Sequence, residues 1–203
     1  GAAANLTSAF AGTVTEHTGT VTITDAPTVA QLVTINAATT GAITLSTADG
    51  ALSGTAANLV LAFAGSVTTH TGAVTISNAP TVAQLVTINA ATTGAITLST
   101  TNGALTGSAA NIVSAFAGTV TEHTGTVTVT DAATVAQFNT INAETTQDVV
   151  LSGGVSDTAA AYAATDGTQT LGLAFIAAQD GDVAITVSDA PTVLQLVTIN
   201  AAT

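Results

Sequence analysis

Seven short stretches of the chain alternate apolar and polar positions in one phase. The apolar pairs are Val21/Ile23, Ile43/Leu45, Val74/Ile76, Ile96/Leu98, Val127/Val129, Val149/Leu151 and Ile185/Val187. The residue inside each pair is Thr22, Thr44, Thr75, Thr97, Thr128, Val150 or Thr186, and the residue after each pair is Thr or Ser. A period of two sends one set of side chains inward and the other outward, so the pattern predicts seven half-buried strands with a hydroxyl face. Val150 is the one apolar residue in the hydroxyl column. Between the strands the period changes. Asp25 precedes Ala26-Pro27, and Val29, Leu32, Val33 and Asn36 follow at helical spacing, with Gly41 beyond. A polar cap, an early Pro and a closing Gly delimit a short helix. Residues 55–65 (TAANLVLAFAG) read as a second apolar helix ended by Gly.

The same string, DAPTVAQLVTINAATTG, begins at Asp25 and returns in close variants from Asn78, Asp131 and Asp189. The steps between these starts are 53, 53 and 58 residues. Within each 53-residue unit, Val21–Gly41 and Ile43–Gly65 look like two related halves of about 26 residues, the length of a strand-plus-helix coil. The expected fold is therefore an α/β solenoid of stacked strand-plus-short-helix coils with a parallel sheet. The poor helix formers Val33 and Thr34 keep an all-β parallel solenoid as the alternative. Such coils bury their apolar sides only by stacking, so the chain is expected to be a single solenoid over 1–203. Its copies run approximately 1–50, 51–103, 104–156 and 157–203, with a divergent insertion at 153–182. Asp25, Asn78, Asp131 and Asp189 are read as helix caps, because a cap tolerates exchange between Asp and Asn. A calcium ladder through the same four positions is the competing reading. The chain opens inside one repeat and stops short of the next strand. The expectation is either a portion of a longer array or open ends covered by neighbouring copies, and unpaired strand edges favour further pairing.

Composition narrows the function classes. The formal charge is −12 with no Lys or Arg, so nothing can neutralise phosphates, and a nucleic-acid partner is excluded. No apolar run approaches the length of a membrane span, so no membrane insertion is expected. The absence of Cys removes disulfides and thiolate chemistry.

His17, His70 and His123 recur at 53-residue steps. With two coils per step, they would stand roughly 9–10 Å apart along a stack, too far to share one metal ion. They are read as turn residues. Asp180 and Asp182, with Asp166, form the better candidate for calcium, as carboxylates clustered in an Asp-Gly loop. No cofactor other than calcium is expected. Thr22, Thr44, Thr75, Thr97, Thr128 and Thr186 form a candidate hydroxyl ladder. Such T-x-T columns resemble the ice-binding face of solenoid antifreeze proteins, although the second column here is mostly Ser. Asn5-Leu6-Thr7 is a glycosylation sequon, and the many hydroxyls make glycans candidate modifications. No Ser-His-Asp constellation stands outside the repeat pattern, so no enzyme is expected.

The strings VTVTDAATVAQ (127–137), TINAATTGAITLS (34–46) and SDTAA (156–160) resemble the Ala/Thr/Asp-rich repeats of very large bacterial secreted and cell-surface proteins, both adhesin-like and surface-layer-like. The resemblance implies an extracellular or bacterial cell-surface location, with no catalytic residues. Joined to the repeat pattern, it leads to an expected function as a structural protein that stacks with itself into a filament, sheath or surface layer. The alternatives are an adhesin or ligand-binding module, with its function in the divergent segment, and an ice-binder.

Overall fold

Each of the seven alternating stretches forms a three-residue strand, and three further strands lie at 52–54, 105–107 and 155–157. The computed structural model describes residues 1–12, 14–179 and 183–202. The fold is α/β, with strands and short helices in alternation, and the described residues form no closed barrel. The chain divides into two compact units, residues 1–101 with 117–121, and residues 102–116 with 122–203.

The first unit runs α1 (Ala3–Ala9), β1 (Val21–Ile23), α2 (Val29–Ala37), β2 (Ile43–Leu45), β3 (Leu52–Gly54), α3 (Ala56–Ala62), β4 (Val74–Ile76), α4 (Val82–Ala91) and β5 (Ile96–Leu98). Strand β1 pairs with β2, and β4 lies between β3 and β5. Every one of these pairs is parallel, in the registers Val21↔Ile43 and Leu52↔Val74↔Ile96. Each pairing step is therefore 22 residues. Helices α1, α2, α3 and α4 pack in that order.

The second unit holds β6 (Leu105–Gly107), α5 (Ala109–Ala115), β7 (Val127–Val129), α6 (Val135–Ala143), β8 (Val149–Leu151), β9 (Val155–Asp157), α7 (Ala159–Tyr162), α8 (Leu171–Gln179), β10 (Ile185–Val187) and α9 (Val193–Ala201). Its sheets are β6-β7-β8 and β9-β10, again parallel, with the register Leu105↔Val127↔Val149. The divergent segment contributes α7 and α8, the latter packed on α6.

Three expectations need correction. The seven predicted strands do not share one sheet: among the described residues, ten strands are divided among four sheets of two or three. Beyond β1, strand β2 meets only a single parallel bridge, Ile43↔Val67, while β3, which begins seven residues after β2 ends, pairs with β4. The all-β alternative fails, because the runs between strands are helical. The helix after Asp25 also starts later than Pro27. Thr28 is its cap, with extended dihedrals, and Gln31 three residues on completes a reciprocal pair of bonds. The Thr28 backbone N–H donates to Gln31 Oε1 at 2.8 Å, and Gln31 N–H donates to Thr28 Oγ1 at 3.3 Å. Thr81, Thr134 and Thr192 repeat this capping box on α4, α6 and α9.

The core is aliphatic. In the first unit Ile23, Leu32, Ile35, Leu59, Ile76, Leu85 and Ile88 are all fully buried. Burying each such side chain contributes on the order of 1.5–3 kcal/mol. Close approach of the backbone needs Gly at two points. A Cβ on Gly41 would fall onto the carbonyl of Gly19, and one on Gly94 onto that of Gly72.

Candidate functional site

The polar residues that recur with the repeat form bonds from one repeat element to the next. Asp25 Oδ1 accepts the Ala3 N–H at 2.7 Å, and Asn78 Oδ1 accepts that of Ala56 at 2.8 Å. Asp131 Oδ1 accepts the Ala109 N–H at 2.7 Å, and Asp189 Oδ1 that of Ala159 at 2.6 Å. These four residues sit at helix N-termini, but at the preceding helices α1, α3, α5 and α7, and not at the helices that follow them in sequence. The following helices are served by Thr. Free N–H groups of a first turn favour a carboxylate or carbonyl oxygen from wherever the fold brings one. Asp157 does the same for α6, accepting the Val135 N–H at 3.0 Å. Sequence reasoning missed Asp157.

The opposite helix ends are joined as well. Asn36 Nδ2 donates to the carbonyl oxygens of Leu61 at 2.9 Å, Ala62 at 3.4 Å and Ala64 at 2.7 Å, at the C-terminus of α3. Gly65, at φ +70°, supplies the left-handed turn that ends this helix. Asn89 Nδ2 likewise donates to the Ala117 carbonyl at 2.6 Å. Asn36 of the LVTINA string is thus a cap for the neighbouring helix α3.

The three histidines occupy parallel bridges, His17↔Thr39, His70↔Thr92 and His123↔Thr145. Each ring packs against the Phe seven positions earlier, with centroids 6.0–6.1 Å apart. His70 and His123 are 2% exposed, and neither ring nitrogen of either makes a hydrogen bond. Burial pushes both imidazoles below their ordinary value. The Ala73 backbone and the Asp49 carboxylate pull His70 partly back, and the Gly103 backbone does so for His123. His17, in the first repeat, is exposed.

The hydroxyl column is divided with the sheets. Thr22 faces Thr44; Thr75 lies between Ser53 and Thr97; Thr128 lies between Thr106 and Val150; Thr186 faces Ser156. No run in a named sheet exceeds three rungs. Of the calcium candidates, Asp180 and Asp182 lie outside the described residues. Asp166 is exposed, and hydrogen bonds from the backbone and side chain of Thr168 hold its carboxyl below the usual carboxylate range. Among the described residues, no three His, Asp or Glu side chains are grouped as metal ligands would be. The sequon lies within α1, where the Thr7 hydroxyl donates to the Ala3 carbonyl.

Two clefts of the first unit are copies of one another. One, of about 320 Å³, is lined by Phe10, Gly12, Val14, Glu16, Thr34 and Ala37. The other, of about 270 Å³, is lined by Phe63, Gly65, Val67, Thr69, Thr87 and Ala90. Helix α9 departs from the repeat in its burial. Val29, Leu32 and Ile35 of α2 are 5%, 0% and 0% exposed; of their counterparts in α9, Ile199 is 6% exposed, but Val193 and Leu196 are 79% and 53% exposed. Leu194 and Val197 extend this uncovered face. No helix among the described residues is long and apolar enough to cross a membrane. No protein-family model, curated protein or solved structure matches the chain.

Proposed function

We propose that the protein is a structural repeat module of the bacterial cell surface or extracellular matrix. Its strand-plus-helix coils stack as a solenoid and add to one another in a filament, sheath or surface layer. The observation that carries this reading is the recurring side-chain bond from each of Asp25, Asn78, Asp131 and Asp189 to the first turn of the preceding helix. The bonds that span 22–30 residues, from Asp25 to α1 through Asp189 to α7, support coil-on-coil stacking as the organising device. The absence of Lys and Arg suits exposed matrix material, since it leaves no tryptic site. Negative-stain imaging with sedimentation tests the reading. Filaments or sheets are expected, and dispersed monomers at high concentration would contradict it.

A second reading, an adhesin or ligand-binding module, draws on the divergent segment, where Leu171 and Phe175 of α8 are 77% and 49% exposed. Replacing both by Ser should then abolish ligand capture and leave assembly intact. Ice binding has less support, because its flat hydroxyl lattice would have to span more than three rungs.

A further inference from the structure

We infer that Asn102-Gly103, in the turn before β6, is a site of spontaneous deamidation: the chain there closes a cyclic imide, loses ammonia and is left with a carboxylate, as aspartate or isoaspartate. The only co-reactant is water, and the site stands apart from the assembly reading above.

The fold treats this residue unlike every other asparagine. The chain holds ten, and Asn102 alone precedes Gly. Eight of the others lie inside α1 to α6 and α9, where the next residue carries a Cβ and its N–H belongs to the helix. Asn78 lies outside a helix, but both ends of its amide are engaged: Oδ1 accepts the Ala56 N–H at 2.8 Å, and Nδ2 donates to the Ala79 carbonyl at 3.4 Å. Asn102 is exposed, and it sits with Gly103 in a turn outside every named helix and strand. Asn-Gly suits such a turn, and a glycine has no Cβ to hold its nitrogen away from the preceding side chain.

The Gly103 nitrogen gives its proton to solvent base and attacks Cγ of Asn102. The N–Cγ bond forms, the Cγ–Nδ2 bond breaks, and Nδ2 leaves as ammonia with a proton returned by solvent. Water then opens the imide at either carbonyl. Attack at Cγ restores the ordinary main chain with Asp at 102; attack at the main-chain carbon routes the chain through the side chain as isoaspartate. The two products fare differently. Asp fits, because the preceding repeat carries Asp49-Gly50 in the matching turn, residues 47–52 against 100–105. There the Asp49 carboxylate pulls the buried His70 imidazole back toward its ordinary value, an influence that a carboxylate at 102 extends to His123. Isoaspartate does not fit. A Cβ on Gly125 would lie 2.6 Å from the carbonyl carbon and oxygen of Asn102 and 2.8 Å from the Gly103 oxygen. The main chain is packed too closely there to take the additional carbon that isoaspartate inserts.

The test incubates the full, folded chain at mildly alkaline pH. The chain has no Lys or Arg, so thermolysin replaces trypsin, and tandem mass spectrometry reads each asparagine in turn. The expected result is conversion of the amide at 102 to a carboxyl several-fold faster than at any other asparagine, with methyl uptake from an isoaspartyl methyltransferase. Gly103→Ala should slow the conversion several-fold. Asn102→Gln, which would have to close a larger ring, should lose the methyl uptake. If the folded chain keeps its amide at 102 while a guanidinium-unfolded sample loses it, or if conversion spreads evenly over the asparagines, the inference is overturned. Hydrogen exchange reads the packing argument. Asn102→Asp should match the parent at residues 105–107, and chains carrying isoaspartate should exchange faster there; equal exchange in the two would overturn the steric conflict at Gly125.

Discussion

Replacing Asp131 by Ala should loosen α5, the helix before it, and leave α6, the helix after it, in place. The side chain accepts the Ala109 N–H at 2.7 Å, at the first residue of a seven-residue helix. Losing a helix-terminal cap costs about 0.5–2 kcal/mol. The lost charge at the dipole adds about 0.3–1 kcal/mol. A total near 1.5 kcal/mol is expected, which lowers Tm by about 3–6 °C for a chain of this size. Asn in the same place keeps the bond, as Asn78 does to Ala56 at 2.8 Å, and should cost only the charge contribution of about 0.3–1 kcal/mol. Urea denaturation measures the total, and amide hydrogen exchange assigns it to an element. Exchange should accelerate in residues 109–115 and stay unchanged in residues 135–143, where Thr134 and Asp157 hold the first turn. Thr134→Ala should give the reverse. Faster exchange at α6 in the Asp131 variant, with α5 untouched, would refute the bond between neighbouring repeats.

Three further perturbations read other parts of the fold. His70 and His123 are held below the ordinary 6.5 by burial, so the unfolded chain takes up protons first as pH falls. Stability is therefore full above about pH 6.5 and drains below it, by up to about 1.4 kcal/mol per pH unit for each histidine. His70→Leu should flatten the slope of urea stability between pH 7 and 5, and an unchanged slope would contradict burial of the neutral ring. Tyr162, the only tyrosine in the chain, is pushed up to about 12, first by burial and then by the Asp157 charge. Spectrophotometric titration should show no tyrosinate below pH 10.5, and Tyr162→Phe, losing the 3.2 Å bond to the Thr186 carbonyl, should cost about 1 kcal/mol. Gly94→Ala drives a Cβ into the Gly72 carbonyl and should cost about 1–3 kcal/mol by overpacking, measured by urea denaturation.

The strands were legible because their signal is local: an apolar residue two positions from another, with a hydroxyl between, cannot change face without a register slip. Strands β3, β6 and β9 were not. Each is three residues, Leu-Ser-Gly, Leu-Thr-Gly or Val-Ser-Asp, set directly before a helix, with one buried residue and no alternation to reveal it. Missing them led to the single long sheet. The helix starts were written in the chain as Thr28-x-x-Gln31 and its copies, a capping box that Asp25-Ala26-Pro27 upstream obscured. The role of Asp25 was hidden for a different reason. Its partner lies 22 residues back, and that distance becomes contact only once the pairing step is known. Nothing local marks Asn36 as a cap for α3 either, since the acceptors are backbone carbonyls 25–28 residues on. The exposure of α9 was beyond reach of the sequence, because Val193 and Leu196 have the same identities as the buried Val29 and Leu32.

The account depends on consecutive repeat elements lying side by side, in parallel, at 22-residue steps. Backbone NOEs in an isotopically labelled chain measure this directly at β3, β4 and β5. Parallel-type contacts linking Leu52 with Val74 and Val74 with Ile96 are expected. Antiparallel contacts, or a register that joins Ile43 to Val74, would contradict it.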